Sequence, residues 1–239
     1  MTLETNLNES PYFDDFDEAK NFHRVLFRPG YAVQARELTQ LQTILQNQVE
    51  RFANEVLVNG TVVSGVSLTT NRVNWVRIKD RDANNTLVIE ENFLTSTGQL
   101  ANAIVVGETS GMVGRLVAFK QGTEQAFPNA STIYVDYVNS GSNNTTKAFL
   151  DAETLVVKSY SSNAFIAAAT SYSSNSTGVG LKVSSTDGII YHKGTFIRTG
   201  PQSAIAGRYT TVPNVNIGFE TKESLVNSFE DSSLYDNAS

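Results

Sequence analysis

The chain has 239 residues, charged residues make up only 18% of it, and its net charge is −6. The absence of cysteine excludes disulfide frameworks, thiolate zinc sites and thiol catalysis. The acidic balance, without any Lys/Arg cluster, argues against a nucleic-acid-binding surface. The start carries acids rather than the basic and apolar regions of a secretory signal, and no apolar run approaches the ~20 residues needed to span a bilayer.

Residues 1–31 read as an extended docking arm. Tyr12, Phe13 and Phe16 stand among acids, and Phe22, Val25, Leu26 and Phe27 follow. Asp17 to Phe27 is expected to form a short helix, ended by Arg28-Pro29-Gly30, because Pro29 biases Arg28 out of the helical region. An arm with this many aromatics should pack on a domain, a neighbouring subunit or another protein.

Residues 32–56 predict the one strong helix, within an amphipathic element bounded at 32–58. Ala35, Leu38, Leu41, Leu45, Val49, Phe52 and Val56 are spaced by three or four residues and share one face. Gln34, Gln40, Gln46, Asn47 and Glu50 occupy the other. Gln48 stands where a second heptad would need an apolar seam residue, so the stripe is not a regular heptad coiled coil. Two packings are open: the helix lies on its own domain, or Leu38, Leu41, Leu45, Val49 and Phe52 form the interface of a short two- or three-helix bundle.

From Asn59 the period becomes two. Strands are expected over Thr61–Leu68 with a Gly interruption, Val73–Ile78, Thr86–Ile89, Ala103–Val106, Val113–Phe119, Thr132–Val138, Thr154–Lys158, Gly178–Val183, Gly188–His192 and Thr195–Arg198. Ala164–Ala169 suggests a helical turn, and Val215, Ile217 and Phe219 suggest a last strand. Short strands with frequent turns and no βαβ rhythm predict a mainly β fold with one long N-terminal helix, arranged as an antiparallel β-sandwich or open barrel. Residues 59–212 are expected to form the β domain, with about 70–180 as an insertion, and 213–239 a strand and linker. The polar close at Ser239 reads as an interruption, so a further C-terminal region is expected.

No constellation for catalysis stands out, and no cofactor is implied. His23 and His192 lack metal-spaced partners. Asp14, Asp15 and Asp17 lack the central glycine and terminal glutamate of a calcium loop. Gly178-Val179-Gly180 and Gly107…Gly111…Gly114 lack the Lys-Ser/Thr ending of a phosphate loop and read as turns. The Asn-x-Ser/Thr triplets follow from composition in a chain this rich in Asn, Ser and Thr.

Two blocks carry a resemblance. Ser10 to Asp17 with Asn21 to Gln42, including the run Leu26-Phe27-Arg28-Pro29-Gly30-Tyr31-Ala32-Val33-Gln34-Ala35-Arg36-Glu37-Leu38-Thr39-Gln40-Leu41-Gln42, leads to the step Gly60-Thr61-Val62-Val63-Ser64-Gly65. The later block includes Ile189 to Arg198 and Ser232 to Ala238. Together they resemble virion structural proteins of tailed phages, labelled tail-fibre or baseplate proteins and frequent among phages of cyanobacteria. The resemblance implies a structural, non-enzymatic role in the virion. The protein would be made in the host cytoplasm, with other tail or baseplate proteins as partners and a homo-oligomer, a trimer for preference, as its state. It implies no nucleic-acid partner and no membrane insertion. Tyr12, Phe13, Phe16, Phe22 and Phe27 are the expected docking residues. The alternative is a receptor-binding module that recognises host glycans through Trp75, Tyr160 or Tyr172.

Overall fold

A computed structural model describes residues 7–95, 100–123 and 129–235. The fold is mainly β, with one N-terminal helix and two open antiparallel sheets of three and eight strands. Neither sheet closes into a barrel. The chain divides into two units, one formed by Met1–Ser67, Ser185–Gln202 and Gly218–Ser239 and the other by Leu68–Ser184 and Ser203–Ile217. Residues 59–212, expected as one β domain, therefore supply strands to both.

The first unit holds α1 (Ala35–Val56), β1 (Val62–Gly65), β9 (Gly188–His192) and β10 (Thr195–Thr199). Its sheet has the order β1-β9-β10. The helix starts three residues later than expected, where the Gln34 N–H donates to Glu37 Oε2 at 2.8 Å, and it ends with the Leu57 N–H on the Ala53 carbonyl at 2.7 Å. β9 and β10 form a hairpin in which Thr195 faces His192. Its two linking residues, Lys193 and Gly194, have φ of 42° and 81°, the left-handed pair that a two-residue hairpin demands. Gly194 is needed twice over, since a Cβ there would lie 2.9 Å from the Glu50 side chain.

The second unit holds β2 (Leu68–Arg77), β3 (Ala103–Gly107), β4 (Val113–Lys120), β5 (Thr132–Tyr137), β6 (Thr154–Ser159), β7 (Phe165–Thr170), β8 (Thr177–Ser185) and β11 (Gln202–Gly207). Their order is β11-β8-β2-β5-β4-β3-β6-β7. The period of two decides which residues enter which face. Val76, Ile78, Val105, Leu116, Ile133, Val135, Leu155 and Val157 bury into one core, closed by Phe93 stacked on Phe119 at 4.6 Å. Their alternates Val73, Trp75 and Tyr134 bury on the other face with Ile205 and Tyr209.

Several expected elements differ from those found. Asp17–Phe27 is no helix: a single 3-10 turn at Glu18–Lys20 is capped by Asp17 and halted by Asn21 in the left-handed region at φ 53°. Ala164–Ala169 is not helical: all of it but Ala164 lies in β7, paired with β6 and sending Ala167 and Ala169 into the core. Thr86–Ile89 makes only the isolated bridge between Arg81 and Leu87. Val215, Ile217 and Phe219 form no strand. Thr61–Leu68 breaks at Gly65 and Val66, both at positive φ, into β1 and the start of β2. β11 has no counterpart among the expected strands. Gly178 and Gly180 sit within β8, as the expected strand Gly178–Val183 has them and not as turn glycines, and a Cβ on Gly178 would fall 2.3 Å from the Trp75 ring.

Candidate assembly interface

The arm, α1 and the β9–β10 hairpin form the first unit's candidate site, and polar contacts hold the three together. Thr43, buried on α1, donates its hydroxyl to the carboxylate of buried Asp14. Asp14 also accepts the Phe16 N–H at 3.2 Å, which turns the arm at that point. About two helical turns to each side, exposed ion pairs repeat the attachment. Arg36 lies 3.7 Å from Asp15, and Arg51 grips Glu18 through Nε and Nη2 at 2.8 and 2.6 Å. The Arg51 guanidinium holds the Glu18 carboxyl below its ordinary range. On the hairpin side, Gln46 Nε2 donates to the Gly194 carbonyl at 2.9 Å, and the Tyr191 hydroxyl donates to Asn54 Oδ1 at 2.6 Å.

The helix is thus seated through the polar face opposite the apolar stripe. Thr43, Ile44, Asn47, Glu50 and Ala53 are its buried residues. At 3.6 residues per turn, Thr43, Asn47 and Glu50 lie on the side opposite the apolar stripe. The stripe points outward: Leu45 is 60% exposed, Phe52 73% and Val56 63%. Leu38 and Val49 are exposed as well, and only Leu41 is half-buried. Apolar periodicity located a face correctly, but that face does not pack on the chain's own fold.

The arm has the same inversion. Its acids anchor it to α1, whereas Tyr12, Phe13, Phe22 and Phe27 are exposed and Phe16 is half-buried. Leu26 and Tyr31 add to this outward apolar surface, and the Arg28 guanidinium lies 4.8 Å above the Tyr31 ring.

The two histidines occupy separate grooves of this unit. His192 lines a cavity of about 510 Å³ with Thr39, Gln42, Thr43 and Gln46 of α1, the hairpin residues Lys193, Thr195 and Ile197, and Thr221 to Glu223. His23 borders a cavity of about 120 Å³ with Phe16, Glu18, Asn47 and Arg51. Among the described residues no group of three or more His, Cys, Asp or Glu gathers to hold a metal ion, and no helix is long and apolar enough to cross a membrane.

The residues considered for sugar recognition are placed differently from one another. Trp75 is 8% exposed and packs edge-on against Tyr209 at 5.0 Å, which removes it as a surface platform. Tyr172 lies under the Arg77 guanidinium at 4.9 Å, and exposed Tyr160 lies under Arg115 at 5.0 Å.

The second unit also contains a polar centre that no sequence pattern announced. Glu153, 2% exposed, accepts the Thr109 N–H at 2.8 Å and the Ser110 N–H on Oε1, and the Ser110 hydroxyl at 3.0 Å and the Leu150 N–H at 2.8 Å on Oε2. It ties the β3–β4 turn to the entry of β6. Nearby, buried Arg77 donates to the Ser174 and Asn175 carbonyls at 2.6 to 3.0 Å. Every donor and acceptor named here faces a partner within the unit, which describes an internal brace rather than a reactive centre.

Residues 10–83 match the family model described as "Domain of unknown function (DUF4815)". The match takes in most of the arm, all of α1 and β1, and β2. No curated protein and no solved structure matches the chain.

Proposed function

We propose that the chain is a structural component of a phage tail, a tail-fibre or baseplate protein. In this reading it docks through its N-terminal arm and helix and connects or supports a fibre for host attachment. The single observation that carries the proposal is the outward apolar surface of the arm and of α1. A chain that spends Thr43, Asn47 and Glu50 on internal packing while leaving Leu45, Phe52 and Val56 outward is built for a partner at that face. The first of the two blocks that carry the resemblance to tail proteins lies within the residues matched by the family model, 10–83. The proposed partners are other tail or baseplate proteins and further copies of the chain, the proposed location is the virion, and no chemistry is assigned to it.

The test is made on particles. Mass spectrometry of purified virions from the phage that encodes the chain should find it, and antibody labelling in electron micrographs should place it on the tail. A chain carrying Tyr12→Ser, Phe13→Ser, Phe22→Ser and Phe27→Ser should keep its circular dichroism spectrum and lose its place in the particle. Absence of the native chain from purified virions, or undiminished incorporation of the quadruple variant, would remove the reading.

A further inference from the structure

We infer that the outward stripe of α1 is a self-association seam, along which copies of this chain pack their helices parallel and in register. The inference deepens the structural reading and rests on it for the need of a partner at this face. Three observations select a second copy as that partner.

The first is the repeat. Leu38, Leu41 and Leu45 recur eleven residues later as Val49, Phe52 and Val56. An eleven-residue repeat corresponds to about 3.67 residues per turn, so the stripe drifts only about 20° around the helix per repeat. Gln48, which breaks a heptad reading, falls between seam positions in this one. The gap from Leu45 to Val49 is then part of the pattern, and it continues over the whole exposed length of α1.

The second is charge. The chain carries −6 overall, so two copies repel wherever their acidic surfaces approach. The six seam residues carry no charge and are flanked by the neutral Gln42 and Gln48, and the acids Glu37 and Glu55 lie further round the helix at the rim of the seam. A symmetric parallel bundle sets each residue beside its own copy, an arrangement that any charge on the seam would oppose. A glutamine amide both donates and accepts, so it can pair with its own image. The helix arginines Arg36 and Arg51 are turned to the arm, on Asp15 and Glu18.

The third is direction. The seam spacing is 3-4-4-3-4 and reads backwards as 4-3-4-4-3. Antiparallel pairing that sets Leu38 against Phe52 matches Leu41 with Val49 and Leu45 with its own copy but leaves Val56 without a seam partner, and pairing that sets Leu38 against Val56 puts Leu41 opposite Ala53, which is buried in its own fold. Parallel pairing in register sets every seam residue against its own copy.

The chain has no cysteine, so single probes report directly. The full chain with Leu38→Cys, and separately with Val56→Cys, is oxidised and run on a non-reducing gel, and native mass is read by light scattering. We expect a native mass at a multiple of 26.1 kDa, disulfide dimers from each single variant, and only the two homodimers when both are mixed, exchanged and oxidised. Leu45→Glu with Phe52→Glu should keep the helical signal and reduce the mass to one chain. A monomeric native chain, an unchanged mass for the double Glu variant, or dominant crossed Leu38→Cys/Val56→Cys dimers would overturn the seam. Those results leave the tail-protein reading standing, because that reading is judged by presence in virions.

Discussion

Glu153 is the side chain on which the second unit most depends for its polar order. Its two oxygens receive four donors, and three of these are backbone N–H groups of a turn and a strand entry that have no ladder to join. Removing the carboxylate leaves the Ser110 N–H and hydroxyl buried and unpaired, at about 1–3 kcal/mol each, and the half-buried Thr109 and Leu150 N–H groups at a smaller cost. Glu153→Ala should therefore destabilise the unit by about 3–5 kcal/mol. Glu153→Gln retains the oxygen shared by Thr109 and Ser110 but turns the second acceptor into a donor, and should lose about half as much. Urea unfolding of the two variants checks both figures. A loss below about 1 kcal/mol for Glu153→Ala would mean that water replaces the carboxylate and that the turn is not held by it. Nothing in the sequence around Glu153 marks this role, because its turn partners are 43 and 44 residues away.

At the level of elements, α1 and the central strands were legible and the arm and edge strands were not. Alternation in Val73–Ile78 and the β-branched and aromatic run Thr132–Val138 mark strands, and these became β2 and β5 near the middle of the large sheet. The two strands that escaped, β7 and β11, are its two edges. β7 is rich in alanine, a residue with strong helical propensity, and only its pairing with β6 settles its state. For α1, the stripe was evident from spacing, but what it packs against was not. The seating face is polar, and polar seating depends on particular distant partners such as Asp14 and Gly194 that no periodicity encodes. The same attachment makes the arm sensitive to acid. Because Arg51 lowers the pKa of Glu18 in the folded chain, the attraction between them is fully present above the ordinary value near 4.5 and is lost as pH falls through the depressed folded value. The pair is exposed, so salt should weaken it. A carbon-detected NMR titration of the Glu18 carboxyl should give a midpoint below 4.5, and Arg51→Ala should return it toward that value. An unchanged midpoint in the variant would show that the pair does not clamp the arm.

The two units of the whole molecule are unequally provided with core. The second unit closes a continuous cluster from Val76 to Ala169 on one face of its sheet and a smaller one around Trp75 on the other. The first has four buried apolar side chains among its described residues, Ile44, Ala53, Val66 and Tyr191, while Leu45, Phe52, Val56, Phe22 and Leu26 remain outward. An element set with so little interior gains stability mainly by covering that surface with another molecule. If copies of the chain cover it, the first unit's folding is linked to protein concentration and the second unit's is not. Calorimetry should then resolve two transitions. The lower, from the first unit, should rise by roughly 3–5 °C for a tenfold increase in concentration, while the upper stays fixed. Leu45→Glu should abolish the dependence of the lower transition without moving the upper one, since Leu45 lies in the first unit and on the seam. A lower transition that ignores concentration would mean that the first unit is complete within one chain. Its exposed stripe would then await a different protein rather than another copy.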